Sequence, residues 1–244
     1  MSMISKNRPK PPRIVVHGPP GIGKTTFAAR ADEPVFICTE DGMGTLDVPM
    51  FPLVQSYNDL IDALAVLGRE DHGFKTVVID SLDWAEPMVW QSVCDRKNVK
   101  SIEDLGYGKG YLEAMFEWNT ILDYLTALRD HKDMTVILLA HSQIKRIEDP
   151  LHPPYDSHDL KLHTRAAARV REFADIIGFA TIDTKMRTDD TGFGNKRARA
   201  VDTGERTLHV SASSAFAAKN RYGLPSPMPL DYQTLMQHFS NKEV

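Results

Sequence analysis

The amino-acid sequence predicts an α/β protein with a mainly parallel central sheet flanked by helices. Short runs rich in β-branched residues alternate along the chain with longer stretches of helical periodicity, which is typical of βαβ units. A glycine-rich segment stands directly between the first predicted strand and the first predicted helix. The apolar runs, such as residues 136–140, are far shorter than the roughly 20 residues that a transmembrane helix needs. We therefore expect a protein without a membrane span, built around a buried sheet.

The predicted elements follow one another in βαβ order. Apolar, β-branched runs predict strands at residues 13–17, 35–39, 76–79, 135–140, 175–182 and 206–210. Apolar residues at helical spacing predict helices at residues 24–31, 57–68, 84–97, 111–129, 164–174 and 232–239. The fourth strand is apolar throughout, so we expect it at the centre of the sheet, buried on both faces.

Two segments are predicted to lie outside these elements. Residues 148–158 contain Pro150, Pro153 and Pro154, so we expect a loop there. Residues 185–206 are polar, contain glycine and are basic in the middle, which favours a mobile loop or a hairpin.

Composition and charge exclude several classes of protein. The chain has 244 residues, of which 42% are hydrophobic and 25% charged, and a net charge of -4, which excludes a disordered or collagen-like chain. We expect a flexible basic arm over residues 1–12 and a single domain over residues 13–244. Cys38 and Cys94 fit no disulfide or zinc-binding pattern, which indicates a reducing cytoplasm.

The strongest motif is a glycine-rich loop at residues 18–25, which fits G-x-x-x-x-G-K-[ST] in full. Glycines are needed because several backbone N–H groups must turn inward, in dihedrals that a Cβ would obstruct. Lys24 is expected to bind the β- and γ-phosphates of ATP, and the Thr25 hydroxyl to bind Mg²⁺. The predicted nucleotide-binding residues are Gly18, Pro19, Pro20, Gly21, Ile22, Gly23, Lys24, Thr25 and Thr26.

A second nucleotide-binding signal ends the third predicted strand. The apolar residues 76–79 are followed by Asp80, whose carboxylate is expected to hold a water of the Mg²⁺ shell. An aspartate that ends a strand is also common as a helix cap, so Asp80 is informative mainly together with the glycine-rich loop.

Further polar side chains follow neighbouring strands, at the sheet edge where a nucleotide would lie. Glu40 comes directly after the second strand and is predicted to orient the attacking water, with a plain solvated acid as the alternative. After the fourth strand, either His141 or Gln143 fits a residue that contacts the γ-phosphate, because both side chains donate and accept hydrogen bonds. An ordinary hydrogen-bonding residue at a strand end fits the pattern equally well.

These residues, in this order, resemble the RecA/RadA-like P-loop ATPases. Glu40 is similar to the family's catalytic glutamate, Asp80-Ser81 to its Mg²⁺-linked aspartate and serine, and Ser142-Gln143-Ile144 to its Asn-Gln-Ile segment. The resemblance spans about residues 13–230 and implies a RecA-like fold. The compact size and the Pro-Pro-Gly loop resemble most the phage-encoded RecA-like ATP-binding proteins, which are associated with single-strand annealing and recombination.

Near the C-terminus, Lys219-Asn220-Arg221 is similar to the family's Lys-Asn-Lys stretch. The resemblance implies that Lys219 and Arg221 reach the ATP of a neighbouring subunit. Such cations stabilise transition-state charge only in an assembled oligomer, which would couple assembly to hydrolysis. A basic surface turn before Pro225 is the alternative.

Two segments follow strand ends at which this family's DNA-binding loops occur, at residues 145–163 and 185–206. The second segment is net positive and has Phe193 between two glycines. Phosphate contacts combined with aromatic stacking suit sequence-indifferent binding of single-stranded DNA, although a solvated hairpin has a similar composition. The predicted DNA-binding residues are Lys185, Arg187, Phe193, Lys196, Arg197 and Arg199.

Together, the motifs and the resemblance predict a Mg²⁺-dependent, DNA-stimulated ATPase of phage recombination or annealing, acting in the cytoplasm of a host cell. The expected partners are single-stranded DNA, further copies of the chain in a ring or filament, and a single-strand-binding protein. Two alternatives stay open. One is a DNA-binding or annealing module that uses ATP mainly for assembly, and the other is a P-loop small-molecule kinase.

Overall fold

The computed structural model describes residues 9–190 and 196–240 of the 244-residue chain. Its strands are β1 (Arg13–Gly18), β2 (Pro34–Cys38), β3 (Thr76–Asp80), β4 (Thr135–Ile147), β5 (Tyr155–Leu160), β6 (Ile176–Asp190), β7 (Lys196–His209), β8 (Lys219–Asn220) and β9 (Met228–Pro229). Within the described residues they form a nine-stranded sheet in the order β2-β3-β4-β1-β6-β7-β9, with β5 paired to β4 and β8 paired to β6.

Helices cover both faces of this sheet. They are α1 (Lys24–Ala29), α2 (Tyr57–Arg69), α3 (Leu82–Lys97), α4 (Lys109–His131), α5 (Thr164–Phe173) and α6 (Tyr232–Ser240), with a short 3-10 helix at Ile102–Leu105. Apolar residues of α2, α3, α4 and α5 pack on one face, and those of α1 and α6 on the other. Among the described residues, no helix has the length and apolar character needed to cross a membrane.

The five strands at the centre run parallel. β1 lies between β4 and β6, and β3 lies between β2 and β4, all in parallel register. Successive residues of β1 enter opposite cores, since Val15 packs with the first set of helices whereas Ile14 and Val16 pack with the second. Burial on both faces explains why these strands are continuous apolar runs rather than alternating ones. The predicted α/β class with a mainly parallel sheet is confirmed.

The prediction of a loop over residues 148–158 was wrong in part. β4 does not end at residue 140 but continues to Ile147, and β5 returns antiparallel beside it, with Ser142 paired to Leu160 and Ile147 to Tyr155. The three prolines lie in the connection between these strands, where no ladder hydrogen bond needs their missing N–H. The sequence signal was weak because the β5 residues are mostly polar and only its last two are buried.

For residues 185–206 the sequence predicted either a mobile loop or a hairpin, and the structure contains a hairpin. β6 extends beyond the predicted end at residue 182 to Asp190, and β7 pairs with it antiparallel along its length. The hairpin alternative is therefore confirmed for the residues that the structure describes. The short strands β8 and β9 had no sequence signal, because two residues carry no periodicity.

The amino-terminal edge of the sheet is held by Asp175, which directly precedes β6 and is buried. Its carboxylate accepts hydrogen bonds from the backbone N–H and guanidinium of Arg13 and from the guanidinium of Arg221. Arg129 Nη2 lies 3.5 Å from Asp175 Oδ2. Burial alone would raise the pKa of Asp175, but the hydrogen bonds and charge of Arg13 hold that pKa below its usual value. This carboxylate therefore ties β1, β6 and α4 together.

We expect Asp175→Asn to lower the free energy of unfolding by about 3 kcal/mol, because it leaves the half-buried Arg13 guanidinium without a counter-charge. Because the folded-state pKa of Asp175 is lowered, the stabilisation by this carboxylate is present above its unfolded-state pKa of about 3.9. It is lost as the pH falls through the lower folded-state value. Urea unfolding at neutral and at acidic pH measures both effects.

Asp130→Asn is the control for this prediction. Asp130 pairs with Lys10 at the surface, with 28% and 45% of the two side chains exposed, so its loss should cost less than about 1 kcal/mol. An equal loss of stability in the two variants would contradict the role given to Asp175.

Candidate nucleotide-binding site

The predicted P-loop residues, Glu40, Asp80 and His141 come together at the carboxyl-terminal edge of the parallel strands. In the register of the sheet, Gly18 at the end of β1 lies beside His141 of β4. Asp80 at the end of β3 lies between Cys38 of β2 and Leu139 of β4. Because these strands point the same way, the segments that follow them leave the sheet at one edge. The sheet itself thus creates the crevice that the motifs line.

Two glycines make the turn after β1 possible. A Cβ on Gly18 would lie 2.5 Å from the carbonyl oxygen of Ala180 on β6, so the close approach of these strands excludes a side chain. Gly23 has a φ of 102° and caps α1, a left-handed conformation that favours glycine. The helix therefore begins at Lys24, and the partial positive charge of its N-terminus lies at the same edge as the crevice.

Lys24 is a buried cation at the mouth of this turn. Only 6% of the residue is exposed, and its Nζ donates hydrogen bonds to the carbonyl oxygens of Gly18 and Pro19 at 3.1 and 3.0 Å. Burial lowers the pKa of Lys24, while the nearby charges of Asp80, Asp83 and Glu40 oppose that shift. Two neutral carbonyls compensate a buried ammonium poorly, so an anion bound here would be stabilised by it.

Thr25 and Asp80 form a pair of oxygen ligands. The Thr25 hydroxyl donates a hydrogen bond to Asp80 Oδ2 at 2.8 Å, which joins α1 to the end of β3 across β4. Burial raises the pKa of Asp80, and the hydrogen bond from Thr25 acts in the opposite direction. A hydroxyl and a carboxylate at this distance fit the oxygen chemistry that Mg²⁺ prefers, and the cation would favour the ionised form of Asp80.

Glu40 is oriented by the strand that carries Asp80. The Ser81 hydroxyl donates a hydrogen bond to Glu40 Oε1 at 2.9 Å. The Thr39 hydroxyl donates to the Ser81 carbonyl oxygen at 2.7 Å and accepts from the Ser81 N–H at 2.9 Å. These bonds lock the ends of β2 and β3 together, so the Glu40 carboxylate is held at the crevice by backbone geometry and a side-chain bond.

His141 and Gln143 occupy different environments. His141 lines the crevice. Its backbone N–H donates a hydrogen bond to Asp83 Oδ1 at 2.9 Å, and its ring Nδ1 lies 2.8 Å from Asp83 Oδ2. Gln143 instead donates from Nε2 to the carbonyl oxygens of Leu160 and Leu162, at 3.0 and 3.1 Å. The amide of Gln143 is thus directed to the β4–β5 hairpin, and His141 is the residue of the two that faces the crevice.

The crevice has a volume of about 490 Å³. Five of its lining residues were not predicted as site residues: Gly42, Met43, Thr45, Leu46 and Arg206. Asp83, the partner of His141, was not predicted either. The segment after Glu40 has no motif that could have indicated it. Arg206 had been counted only with the basic residues of the 185–206 segment, and pairing of β7 with β6 places it here.

Lys219 and Arg221 lie at the opposite edge of the sheet from this crevice. Lys219 Nζ donates to the carbonyl oxygens of Arg171 and Glu172 at the end of α5, at 2.7 and 3.2 Å. Arg221 Nη1 donates to Asp175 Oδ1 at 3.0 Å, and 52% of its side chain is exposed. The fold therefore does not bring these cations to the nucleotide site of their own chain.

The predicted DNA-binding side chains lie outside the part of the chain that the structure describes. For five of them, Lys185, Arg187, Lys196, Arg197 and Arg199, only the backbone positions in β6 and β7 are described. Phe193 falls within residues 191–195, which are not described. The same holds for residues 1–8 of the predicted arm.

Known proteins provide two points of similarity. Residues 10–222 match the family model AAA_24, described as an AAA domain. Among solved structures, the crystal structure of the RadB recombinase is similar, with a TM-score of 0.45 and 14% sequence identity, covering 82% of this chain and 87% of that chain. No curated protein shows significant similarity to the chain.

We expect Glu40→Gln to lower the rate of ATP hydrolysis about 100-fold or more, because the amide can no longer draw a proton from the attacking water. The affinity for ATP should be retained, since Lys24 and Thr25 are unchanged. Phosphate release and binding of a fluorescent ATP analogue measure the two quantities separately.

Asp41→Asn is the matched control, because Asp41 is the adjacent acid, is exposed and does not line the crevice. It should hydrolyse ATP at close to the wild-type rate. Wild-type turnover in Glu40→Gln would remove Glu40 from the chemistry and favour a protein that uses ATP for assembly.

Proposed function

This chain belongs to the AAA domain family of P-loop ATPases, and from that premise we propose a Mg²⁺-dependent ATPase that binds single-stranded DNA and acts in recombination as an oligomer. The crevice formed by Lys24, Thr25, Asp80 and Glu40 carries the proposal. It combines a buried cation for phosphates, a pair of oxygen ligands for a divalent cation and an oriented carboxylate for water.

The nucleotide is held mainly by the turn at residues 18–25. Lys24 exchanges its carbonyl partners for phosphate oxygens, and N–H groups at the start of α1 donate to the same anion. Thr25 and Asp80 are the residues that would hold Mg²⁺, which neutralises part of the triphosphate charge when it is bound.

Glu40 and His141 then act on the terminal phosphate. Glu40 accepts a proton from the attacking water while Ser81 keeps the carboxylate in place. The contact of His141 Nδ1 with Asp83 Oδ2 fixes the orientation of the ring, which leaves Nε2 as the ring atom that can contact the attacking water or the γ-phosphate. His141, rather than Gln143, is therefore the sensor that we propose for the γ-phosphate.

Two hairpins support the binding of DNA near this crevice. The β4–β5 and β6–β7 hairpins extend from β4 and β6, which are the two neighbours of β1 in the sheet. The β6–β7 hairpin carries the basic segment, and its backbone register pairs Arg187 with Arg199. A single strand bound by this hairpin would lie close to the nucleotide, so that DNA binding and hydrolysis influence each other.

We further propose that the protein promotes annealing or strand pairing in a phage-type recombination system. The motif order that resembles the RecA-like ATPases supports it. Lys219 and Arg221 lie at the edge opposite the crevice, so a contact of theirs with a nucleotide would have to be made in another subunit, as the resemblance of residues 219–221 to the Lys-Asn-Lys stretch implies.

We expect the triple variant Lys196→Ala, Arg197→Ala and Arg199→Ala to bind single-stranded DNA at least tenfold more weakly, because three phosphate contacts are lost. The slope of log affinity against log salt should become shallower by about 2. ATP hydrolysis without DNA should stay near the wild-type rate, and its stimulation by DNA should be lost. Fluorescence anisotropy with a labelled oligonucleotide and phosphate release provide the measurements.

A second triple variant, Arg69→Ala, Lys75→Ala and Lys100→Ala, makes the same change in net charge at exposed positions elsewhere on the surface. It should bind DNA as the wild type does. If both triple variants lose affinity equally, the binding reflects overall charge and the hairpin has no special role.

We expect a mixture of Lys24→Ala and Arg221→Ala subunits to regain activity that neither variant has alone. Lys24→Ala subunits have no functional P-loop, but they can supply Arg221 to the intact P-loop of the other variant. Recovery should reach about a quarter of the wild-type rate if equal amounts of the subunits assort freely, because about one site in four then combines an intact P-loop with an intact Arg221. Phosphate release from the mixture is the measurement, and full activity of Arg221→Ala by itself would exclude the cross-subunit role.

A further inference from the structure

Arg206 of β7 lies against the phosphate-binding turn of its own chain. Its Nη1 is 2.8 Å from the position that a Cβ on Gly23 would occupy, and it lines the crevice together with Lys24 and Thr25. A second cation therefore lies directly beside the turn, in addition to the lysine of the motif.

The guanidinium of Arg206 forms no ion pair with the carboxylates whose side chains the structure describes, which excludes those of residues 184–203, although acids line the same crevice. Arg13, Arg171 and Arg221, in contrast, each pair with a carboxylate at 2.9–3.0 Å. Arg206 is exposed and lines the crevice, so an anion that enters the crevice can reach its guanidinium. A guanidinium matches the planar, two-oxygen face of a phosphate, so phosphate is the anion that its chemistry favours.

The backbone of β7 fixes Arg206 relative to the turn. In the sheet it pairs with Ile182 of β6, and its carbonyl oxygen accepts a hydrogen bond from the Leu230 N–H at 3.0 Å. β6 in turn pairs with β1, the strand that leads into the turn. The distance between Arg206 and the turn is therefore set within one subunit and does not require an oligomer.

From these contacts we propose that Arg206 donates hydrogen bonds to the phosphate chain of the nucleotide bound in its own subunit. The inference rests on the nucleotide site of the proposed function and adds a phosphate-contacting residue to it. Arg206 acts within the subunit, whereas Lys219 and Arg221 lie at the opposite edge of the sheet, away from the nucleotide site of their own chain. The site would then combine two cations from one chain with cations from the next.

The first test compares the affinity for ATP of Arg206→Ala with that of Arg69→Ala, an exposed arginine on α2 whose Nε donates to the Ala65 carbonyl oxygen. We expect Arg206→Ala to bind a fluorescent ATP analogue at least tenfold more weakly, and Arg206→Lys to lie between it and the wild type. Arg69→Ala should bind ATP as the wild type does. Equal affinity in Arg206→Ala and Arg69→Ala would overturn the proposal.

Thermal unfolding separates phosphate binding from a structural role. Without nucleotide, Arg206→Ala should unfold at nearly the wild-type temperature, because the side chain is exposed and lacks an ion pair within the described residues. With ATP and Mg²⁺, the increase in Tm should be smaller for Arg206→Ala than for Arg69→Ala. An equal increase in both variants would contradict the phosphate contact.

A mixing experiment tests whether Arg206 acts within its own subunit. A mixture of Arg206→Ala and Lys24→Ala subunits should show no recovery of ATP hydrolysis, because neither kind of subunit has both cations. Recovery would show that Arg206 serves a neighbour and would overturn the proposal. A wild-type ATPase that DNA fails to stimulate would refute the DNA role of the proposed function, but it would leave these affinity measurements unaffected.

Discussion

The parallel direction of β1, β2, β3 and β4 is the constraint on which the rest of the structure depends. Because helices cover both faces of these strands, β1, β2, β3 and residues 135–140 of β4 are apolar runs that turn polar at their carboxyl ends. Four chain segments therefore turn polar at the same edge. The crevice and the charged side chains that line it form at this edge because the strands end there together.

Within the crevice, charges are balanced only in part. Lys24 is buried with two carbonyl partners, whereas Asp80 is buried with the Thr25 hydroxyl. Burial lowers the pKa of Lys24 and raises the pKa of Asp80, so it favours the neutral form of each group. A nucleoside triphosphate would supply the missing counter-charge for Lys24, and a divalent cation would supply it for Asp80. This complementarity explains why a protein would keep such costly groups desolvated at one edge of its sheet.

The opposite edge of the sheet shows the contrasting case of a buried acid whose charge is compensated by side chains of the same chain. Asp175 is surrounded by Arg13, Arg129 and Arg221, and the guanidinium groups keep its pKa low despite burial. Such a cluster contributes to stability and to the position of β1 relative to β6. The Asp175 cluster at the amino-terminal edge thus stabilises the arrangement of the strands, whereas Lys24 and Asp80 at the carboxyl-terminal edge have charges that a ligand could compensate.

Local patterns of glycine, apolar residues and acids were enough to predict the fold class, the glycine-rich turn, the position of Asp80 and the succession of the central strands along the chain. Local pattern could not reveal β5, whose residues are mostly polar, or the pairing that lengthens β4 and β6 into hairpins. Only the tertiary structure decided that Asp83 holds His141, that Gln143 turns to the β4–β5 hairpin and that Arg206 lies against Gly23. Each of these contacts joins residues far apart in the chain, and such contacts are set by strand order and register, which no single segment contains.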